Sequence, residues 1–434
     1  MSAIITSKIR KYAQIAYYDK LRSGENPIYL YFGKSSSWNE SETYSKPIDN
    51  TYTQLSIAND VIFAKQINFN HITACAKRVD WISGVVYNQY DMYENIATKE
   101  NYYVLTDDFN VYMCISNNNK SISLDKPTGT SVNNFETDDG YIWKYLYSIS
   151  SNNAKLFLTN KLMPVQIYPT YTTSQYITEH NAIPGTIDSF VITKEGQGYS
   201  IANVEISGDG TGAKAIPILK NGTITSIKVT NPGKNYTYAN ITISGNGTGA
   251  ECYANISPVQ GHGGSILEEL NASFIMIVAL VGEDSDKELF SEFPKTFEFR
   301  KIGLINNLKK LSDDTNITDK LINFTYKFET DNIDNLNSGD IIKFNNGESA
   351  TVVMAEEISD KYFIYVNEIN KNINTDELSS FFLDRDNAST YIINKFISKP
   401  DVNFNNLNLL YLENLEQFTR NEENVDLIRI AIEF

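Results

Sequence analysis

Cysteine and histidine are scarce in this chain of 434 residues, with three of each. The cysteines, Cys75, Cys114 and Cys252, are too widely spaced for a disulfide framework or a CxxC metal site, which fits assembly in a reducing compartment and leaves them as small core residues. The histidines, His71, His180 and His262, stand in no HExxH or paired metal spacing, so neither a zinc hydrolase nor a bound metal is expected. A Gly-x-Ser-x-Gly elbow is absent as well, which argues against a serine hydrolase. Positive charge is short: 37 Lys and Arg against 53 Asp and Glu leave a net charge of −16, which repels phosphate backbones, so nucleic acid is not an expected partner. The longest apolar run, Phe274–Val281, has eight residues and falls far below the roughly 20 of a membrane-spanning helix. Met1-Ser2-Ala3-Ile4-Ile5 lacks a signal-peptide apolar stretch, so a soluble chain without a secretion signal is expected.

What is present is ordinary for a globular protein, with 41% hydrophobic and 12% aromatic residues, including 28 Tyr and 22 Phe. That content forms a real core, and at about 150 residues per domain the length suggests two or three domains. Asparagine is abundant, at 49 residues, but it is dispersed and reads as coding bias rather than a prion-like tract.

From Thr6 or Ser7, either a plausible N-cap, apolar Ile9, Tyr12, Ala13, Ala16 and Tyr17 recur at helical spacing until Ser23-Gly24, predicting one amphipathic helix. Beyond it the runs are short, β-branched and aromatic, at 28–32, 61–63, 102–105, 111–115 and 142–149, so the bulk is β. Residues 101–105 and 110–115, separated by Thr106-Asp107-Asp108-Phe109, read as a hairpin.

The clearest internal signal is a duplication at an offset of about 37 residues. Residues 186–193 recur at 223–230, Gly198-Tyr199 matches Asn235-Tyr236, and 204–213 matches 241–250, each ending in a Gly turn. One such unit cannot cover its own apolar face, so two pair into a compact β module inserted at 183–258. A second small β-barrel or meander is expected at 315–400, where Ser338-Gly339-Asp340 and Asn345-Asn346-Gly347 precede alternating strand-like runs.

Candidate chemistry is weak throughout. Gly208-Asp209-Gly210-Thr211-Gly212 resembles a phosphate loop, but the residues behind it, 213–219, read as a strand containing Pro217, whereas a phosphate cradle needs a helix N-terminus. Asp209 offers at most a loose Ca²⁺ ligand. The pairs Asp138-Asp139, Asp313-Asp314 and Glu422-Glu423 supply the carboxylates a glycosidase needs, yet a chain this acidic places such pairs in solvated loops by chance. Trp38, Trp81 and Trp143 read as core or interface anchors. Behind the Asp139-Gly140 turn, alternation puts Tyr141, Trp143, Tyr145 and Tyr147 on one face and Ile142, Lys144 and Leu146 on the other, as in a buried strand or, second, an interface strand.

Several segments taken together resemble the baseplate wedge subunit of contractile-tailed bacteriophages, the gene-eight type. They are residues 5–10; Tyr31-Phe32-Gly33-Lys34 with Trp38; Lys77-Arg78-Val79-Asp80-Trp81; and, most strongly, residues 139–147. Gly261-His262-Gly263-Gly264, Glu269-Leu270-Asn271-Ala272, Phe299-Arg300-Lys301-Ile302-Gly303 and Leu410-Tyr411-Leu412-Glu413-Asn414 follow in the same order, and a final apolar strand closes on Phe434. The chain departs from the pattern at Asn271, where Gly is usual, at Leu415, where a basic residue is common, and in its two insertions.

The resemblance implies a mainly β (α+β) fold with a β-sandwich-like core and a few peripheral helices. That core would comprise 1–182, 259–314 and 401–434, carrying the two inserted β modules. It also implies a homodimer that joins other wedge proteins and tail-fibre-anchoring proteins in the virion tail after assembly in the host cytoplasm. Neither catalysis nor a cofactor is implied, and a small-molecule ligand is not expected. The competing expectation is a carbohydrate-binding or polysaccharide-degrading tail protein, with Tyr199, Tyr236, Tyr238 and Asn235 of the repeat as its exposed surface. On the leading reading, Trp38, Trp81, Asp139, Gly140, Tyr141, Trp143, Tyr145, Gly261, His262, Gly263, Arg300, Tyr411, Glu413 and Asn414 are turn and interface candidates.

Overall fold

Short β-branched and aromatic runs become strands almost everywhere: the fold is mainly β, 46% strand against 13% helix, with several sheets and few helices. The structure, a computed structural model, describes residues 5–23, 26–38, 46–95, 98–281, 298–368, 373–403, 407–419 and 426–434. Gly24, Glu422 and Glu423 lie outside the described residues.

The chain forms two compact units, one of Met1–Tyr17, Ile72–Ile277 and Arg429–Phe434, the other of Tyr18–His71 and Val278–Ile428. The segments expected to share one core are therefore divided. Long-range strand pairing is the reason: Tyr29–Gly33 takes Val61–Gln66 and Glu298–Asn306 as antiparallel neighbours, which draws the early residues 18–71 to the later part of the chain.

The opening helix runs Ser7–Ser23, its residues up to Tyr17 in the first unit, and the Thr6 hydroxyl accepts from the Ile9 N–H at 3.4 Å. Its inward face is not the apolar one expected. Ile9 and Tyr12 are exposed, while Gln14 is buried and its side-chain amide donates to the Ala272 carbonyl at 2.6 Å. That hydrogen bond offsets part of the cost of burying the amide, since only the unpaired part of a buried polar group is penalised. Two four-stranded sheets follow. One is ordered Tyr103–Leu105, Asn110–Ser116, Ile142–Ser148, Phe135–Glu136, and the other Asp426–Glu433, Phe274–Val281, Ile72–Lys77, Leu162–Val165. Tyr103↔Met113 through Leu105↔Val111 form the hairpin read from the Asp107-Asp108 turn.

The duplicated segment folds as an exchanged pair. Ile187–Gln197 of the first repeat pairs with Thr248–Ile256 of the second, Ala202–Gly208 with Ala239–Gly245, and Lys214–Lys220 with Thr223–Asn231. Every pair joins one repeat to the other, so neither repeat has a sheet of its own. The strand Lys214–Lys220 follows the Gly turn at 208–212, so no helix N-terminus backs that turn.

In the second unit a five-stranded sheet is ordered Leu321–Asn323, Val61–Gln66, Tyr29–Gly33, Glu298–Asn306, Asn408–Thr419. A closed barrel is ordered Tyr326–Thr330, Lys361–Glu368, Ser349–Ile358, Ile341–Phe344, Ser380–Leu383, Asp386–Ser398. It falls within 315–400, and fully buried Phe328, Phe344 and Phe381 fill it.

Candidate functional site

In the second unit Arg300, Tyr411, Glu413 and Asn414 lie on neighbouring strands, with Lys301 opposite Asn414, Ile302 opposite Glu413 and Leu304 opposite Tyr411, and Trp38 reaches them from the loop after Gly33. The Trp38 indole N–H donates to the Leu415 carbonyl at 2.8 Å, and the Lys34 and Lys301 ammonium groups stand 4.8 and 5.8 Å from its ring centre. Buried Arg300 donates to Glu298 Oε2 at 2.8 Å and to the Ser35 carbonyl, pinning the loop after Gly33. Tyr411 donates to Glu413 Oε2 at 2.8 Å; burial first, then that carboxylate, pushes its phenol well above the usual range. These groups tie strands and loop together.

In the first unit Trp81 donates to the Ser123 hydroxyl at 3.2 Å and packs against the aromatic cluster of Tyr87, Tyr112, Tyr141, Trp143 and Tyr145. Tyr141, Trp143 and Tyr145 are almost wholly buried, and so are Lys144 and Leu146 on the other face. Within the strand Ile142–Ser148, residues 143–147 are buried on both faces. Asp139 holds the turn before it. Its two oxygens accept from the Ser123 hydroxyl and the Leu124 and Asp125 N–H groups, and from the Thr137 hydroxyl and the Tyr141 N–H, at 2.6 to 3.2 Å. Burial raises the Asp139 pKa, but these donors outweigh it and hold the carboxyl below its ordinary range. Gly140, at φ +80°, allows the tight return, since a Cβ there would meet the Asn118 amide at 2.6 Å.

The sequence reading missed a buried charge cluster around His262. The turn 261–264 places the ring in the interior: Gly261 and Gly263 both have φ above +80°, and a Cβ on Gly261 would strike the Ile183 backbone. His262 Nδ1 is 2.9 Å from Glu269 Oε2 and Nε2 is 3.3 Å from Asp188 Oδ2. Glu269 also accepts from the Gly263 N–H at 2.7 Å, and Asp188 Oδ1 from the Thr186 hydroxyl at 3.0 Å. The Tyr90 ring meets the imidazole edge to face at 4.5 Å. Lys144, which donates to the Val132 carbonyl, completes the group. Burial lowers the His262 pKa, but the Asp188 and Glu269 carboxylates outweigh it and raise it to about 9; burial lowers that of Lys144 against the same two carboxylates. A Glu seven residues after His262 was the one local signal. Asp188 is remote in sequence and reaches the site only through the fold.

Both imidazole nitrogens face carboxylates, and Thr186 hydrogen-bonds Asp188 rather than the ring, so the cluster contains no nucleophile paired with a base. Among the described residues no group of three or more His, Cys, Asp or Glu is disposed to hold a metal ion. A cavity of about 440 Å³ opens beside the cluster, lined by Phe135, Ile142, Ile183, Lys144, Asp188 and His262 among others. The repeat is less exposed than the carbohydrate expectation needs: Tyr199 and Tyr236 are buried, leaving Tyr238 and Asn235 outside. Each buried ring lies on a glycine of the opposite repeat, Tyr199 on Gly247 and Tyr236 on Gly210. Asp209 accepts from the Thr237 hydroxyl and N–H and the Tyr238 N–H, which draws its pKa down to about 2. No protein-family model matches the chain, and no curated protein matches it.

Proposed function

We propose that this protein is a structural subunit of the baseplate wedge of a contractile-tailed bacteriophage, assembled in the host cytoplasm and carried in the virion. On this reading it pairs as a homodimer and joins neighbouring wedge and tail-fibre-anchoring proteins. One observation carries it beside the sequence resemblance: the residues of the resembling segments are spent on holding strands and turns. Asp139 saturates its carboxylate with five donors, Trp38 and Arg300 pin one loop, and His262 is clamped between two carboxylates. Ile5, Ile9 and Tyr12 at the opening helix remain exposed, as apolar groups awaiting assembly would be. Among the described residues no helix is long and apolar enough to cross a membrane.

The polysaccharide-degrading alternative relied on Asp138 and Asp139, and a carboxylate already accepting five hydrogen bonds makes a poor acid or base. The test is the solution mass by light scattering at several concentrations, followed by co-purification with other tail proteins. A mass near twice 49.1 kDa with retention of a tail protein is expected. A concentration-independent monomer that retains none would overturn the proposal.

A further inference from the structure

We propose that Asn221 is a site of spontaneous covalent modification in the folded protein: its side chain cyclises onto the Gly222 amide, and water then opens the ring to aspartate or isoaspartate. This chemistry needs only local geometry, so it holds whether or not the wedge reading does.

The chain holds three Asn-Gly pairs, Asn221-Gly222, Asn246-Gly247 and Asn346-Gly347. Each has the sequence that favours this reaction, because glycine carries no side chain to shield its nitrogen. The fold treats the three differently. Asn221 and Gly222 form the two-residue turn between Lys214–Lys220 and Thr223–Asn231, where Lys220 pairs with Thr223 and the turn residues have φ +54° and +80°. Asn221 is exposed, and among the described residues neither its side-chain amide nor the Gly222 N–H has a hydrogen-bond partner.

Asn246 is held on every side. Its Oδ1 accepts from the Ser200 and Ile201 N–H groups, both at 3.0 Å, its Nδ2 donates to the Ser200 hydroxyl at 2.7 Å, and the Tyr199 ring covers Gly247. Asn346 accepts from the Glu348 N–H at 3.0 Å and donates to Glu348 Oε2 at 2.8 Å, while the Gly347 N–H is spent on the Phe344 carbonyl at 2.9 Å. These bonds must break before either side chain can meet its glycine nitrogen, and Asn221 has none to break.

In the reaction the Gly222 nitrogen gives up its proton as it bonds to Asn221 Cγ, the Cγ–Nδ2 bond breaks, and Nδ2 leaves as ammonia with a proton in exchange. One water then opens the ring. Attack at Cγ yields aspartate, and attack at the residue 221 carbonyl carbon yields isoaspartate, with the main chain routed through the former side chain. Either product puts a carboxylate into residues 210–250, which otherwise carry four lysines and no acidic residue. Isoaspartate also lengthens the backbone beside Gly222, whose carbonyl accepts from the Tyr199 N–H at 2.9 Å.

Peptide mass mapping of the full chain, incubated in mildly alkaline buffer both folded and in urea, tests the assignment. In the folded chain Asn221 should show the mass change of amide-to-acid conversion at least about tenfold faster than Asn246 or Asn346. In urea the three rates should draw together, since the bonds that restrain the other two are gone. Asn221→Gln should remove most of the acidic species that accumulates on ion exchange. The proposal is overturned if Asn221 stays an amide in the folded chain, if Asn246 or Asn346 converts as fast as Asn221 there, if the ranking persists unchanged in urea, or if Asn221→Gln leaves the acidic species undiminished.

Discussion

Asn271 carries more of the turn chemistry than its polarity suggests. It follows the short helix Ile266–Glu269 with φ +45°, the left-handed conformation that ends many helices and that Asn tolerates better than other non-glycine residues. Asn271→Gly should therefore leave urea stability unchanged or raised, whereas Asn271→Ala should cost about 1 kcal/mol. Asp139 acts through its donors, and Asp139→Ala strands several N–H groups at once. A loss of roughly 2–3 kcal/mol is expected in the same urea experiment. His262 is a titration switch for stability. Its pKa is raised from 6.5 to about 9 in the fold, so the protonated ring stabilises the folded state fully below pH 6.5, and that contribution is lost as pH rises through 9. The wild-type Tm should fall between pH 6.5 and 9 by the equivalent of about 3 kcal/mol, and His262→Gln should flatten that dependence. The Gly-His-Gly-Gly turn was legible in the sequence, but its Asp188 partner was not, because a pairing across 74 positions leaves no local period.

At the scale of elements the repeat is the instructive case. Its strands and Gly turns follow from a local pattern written twice, and a single unit's uncovered apolar face already demanded a second copy. Which strand would pair with which was not readable, since the two copies carry near-identical edges. The structure pairs every strand with the other copy, and the rings reflect that exchange: a Cβ on Gly210 would lie 2.3 Å from Tyr236, and one on Gly247 2.4 Å from Tyr199. Gly210→Ala and Gly247→Ala should therefore destabilise by similar amounts, about 1–3 kcal/mol each, in thermal melts followed by circular dichroism. A large cost at one position with none at the other would contradict the exchanged arrangement. The opening helix teaches the reverse lesson. Its 3.6-residue period correctly announced a helix, but the face that turns inward carries Gln14, whose amide N–H donates to the Ala272 carbonyl.

Across the whole molecule, two units with separate cores predict separable responses. Phe328→Ala in the barrel should cost about 3–5 kcal/mol and raise hydrogen exchange over residues 326–398 while leaving the strands 110–116 and 142–148 protected. A uniform loss of protection over both units would contradict that independence. Composition and periodicity were sufficient for a mainly β chain, and the duplication and the Asp139 turn were legible beside it, because each is set by neighbours within a few dozen residues. The division into two units, the burial of the Tyr141–Trp143–Tyr145 strand on both faces, and the meeting of Asp188, His262, Glu269 and Lys144 came from the three-dimensional fold. Strand partners hundreds of positions apart, such as Tyr29 and Ile305, are selected by the summed burial and hydrogen bonding of whole sheets, a quantity no local stretch of residues contains.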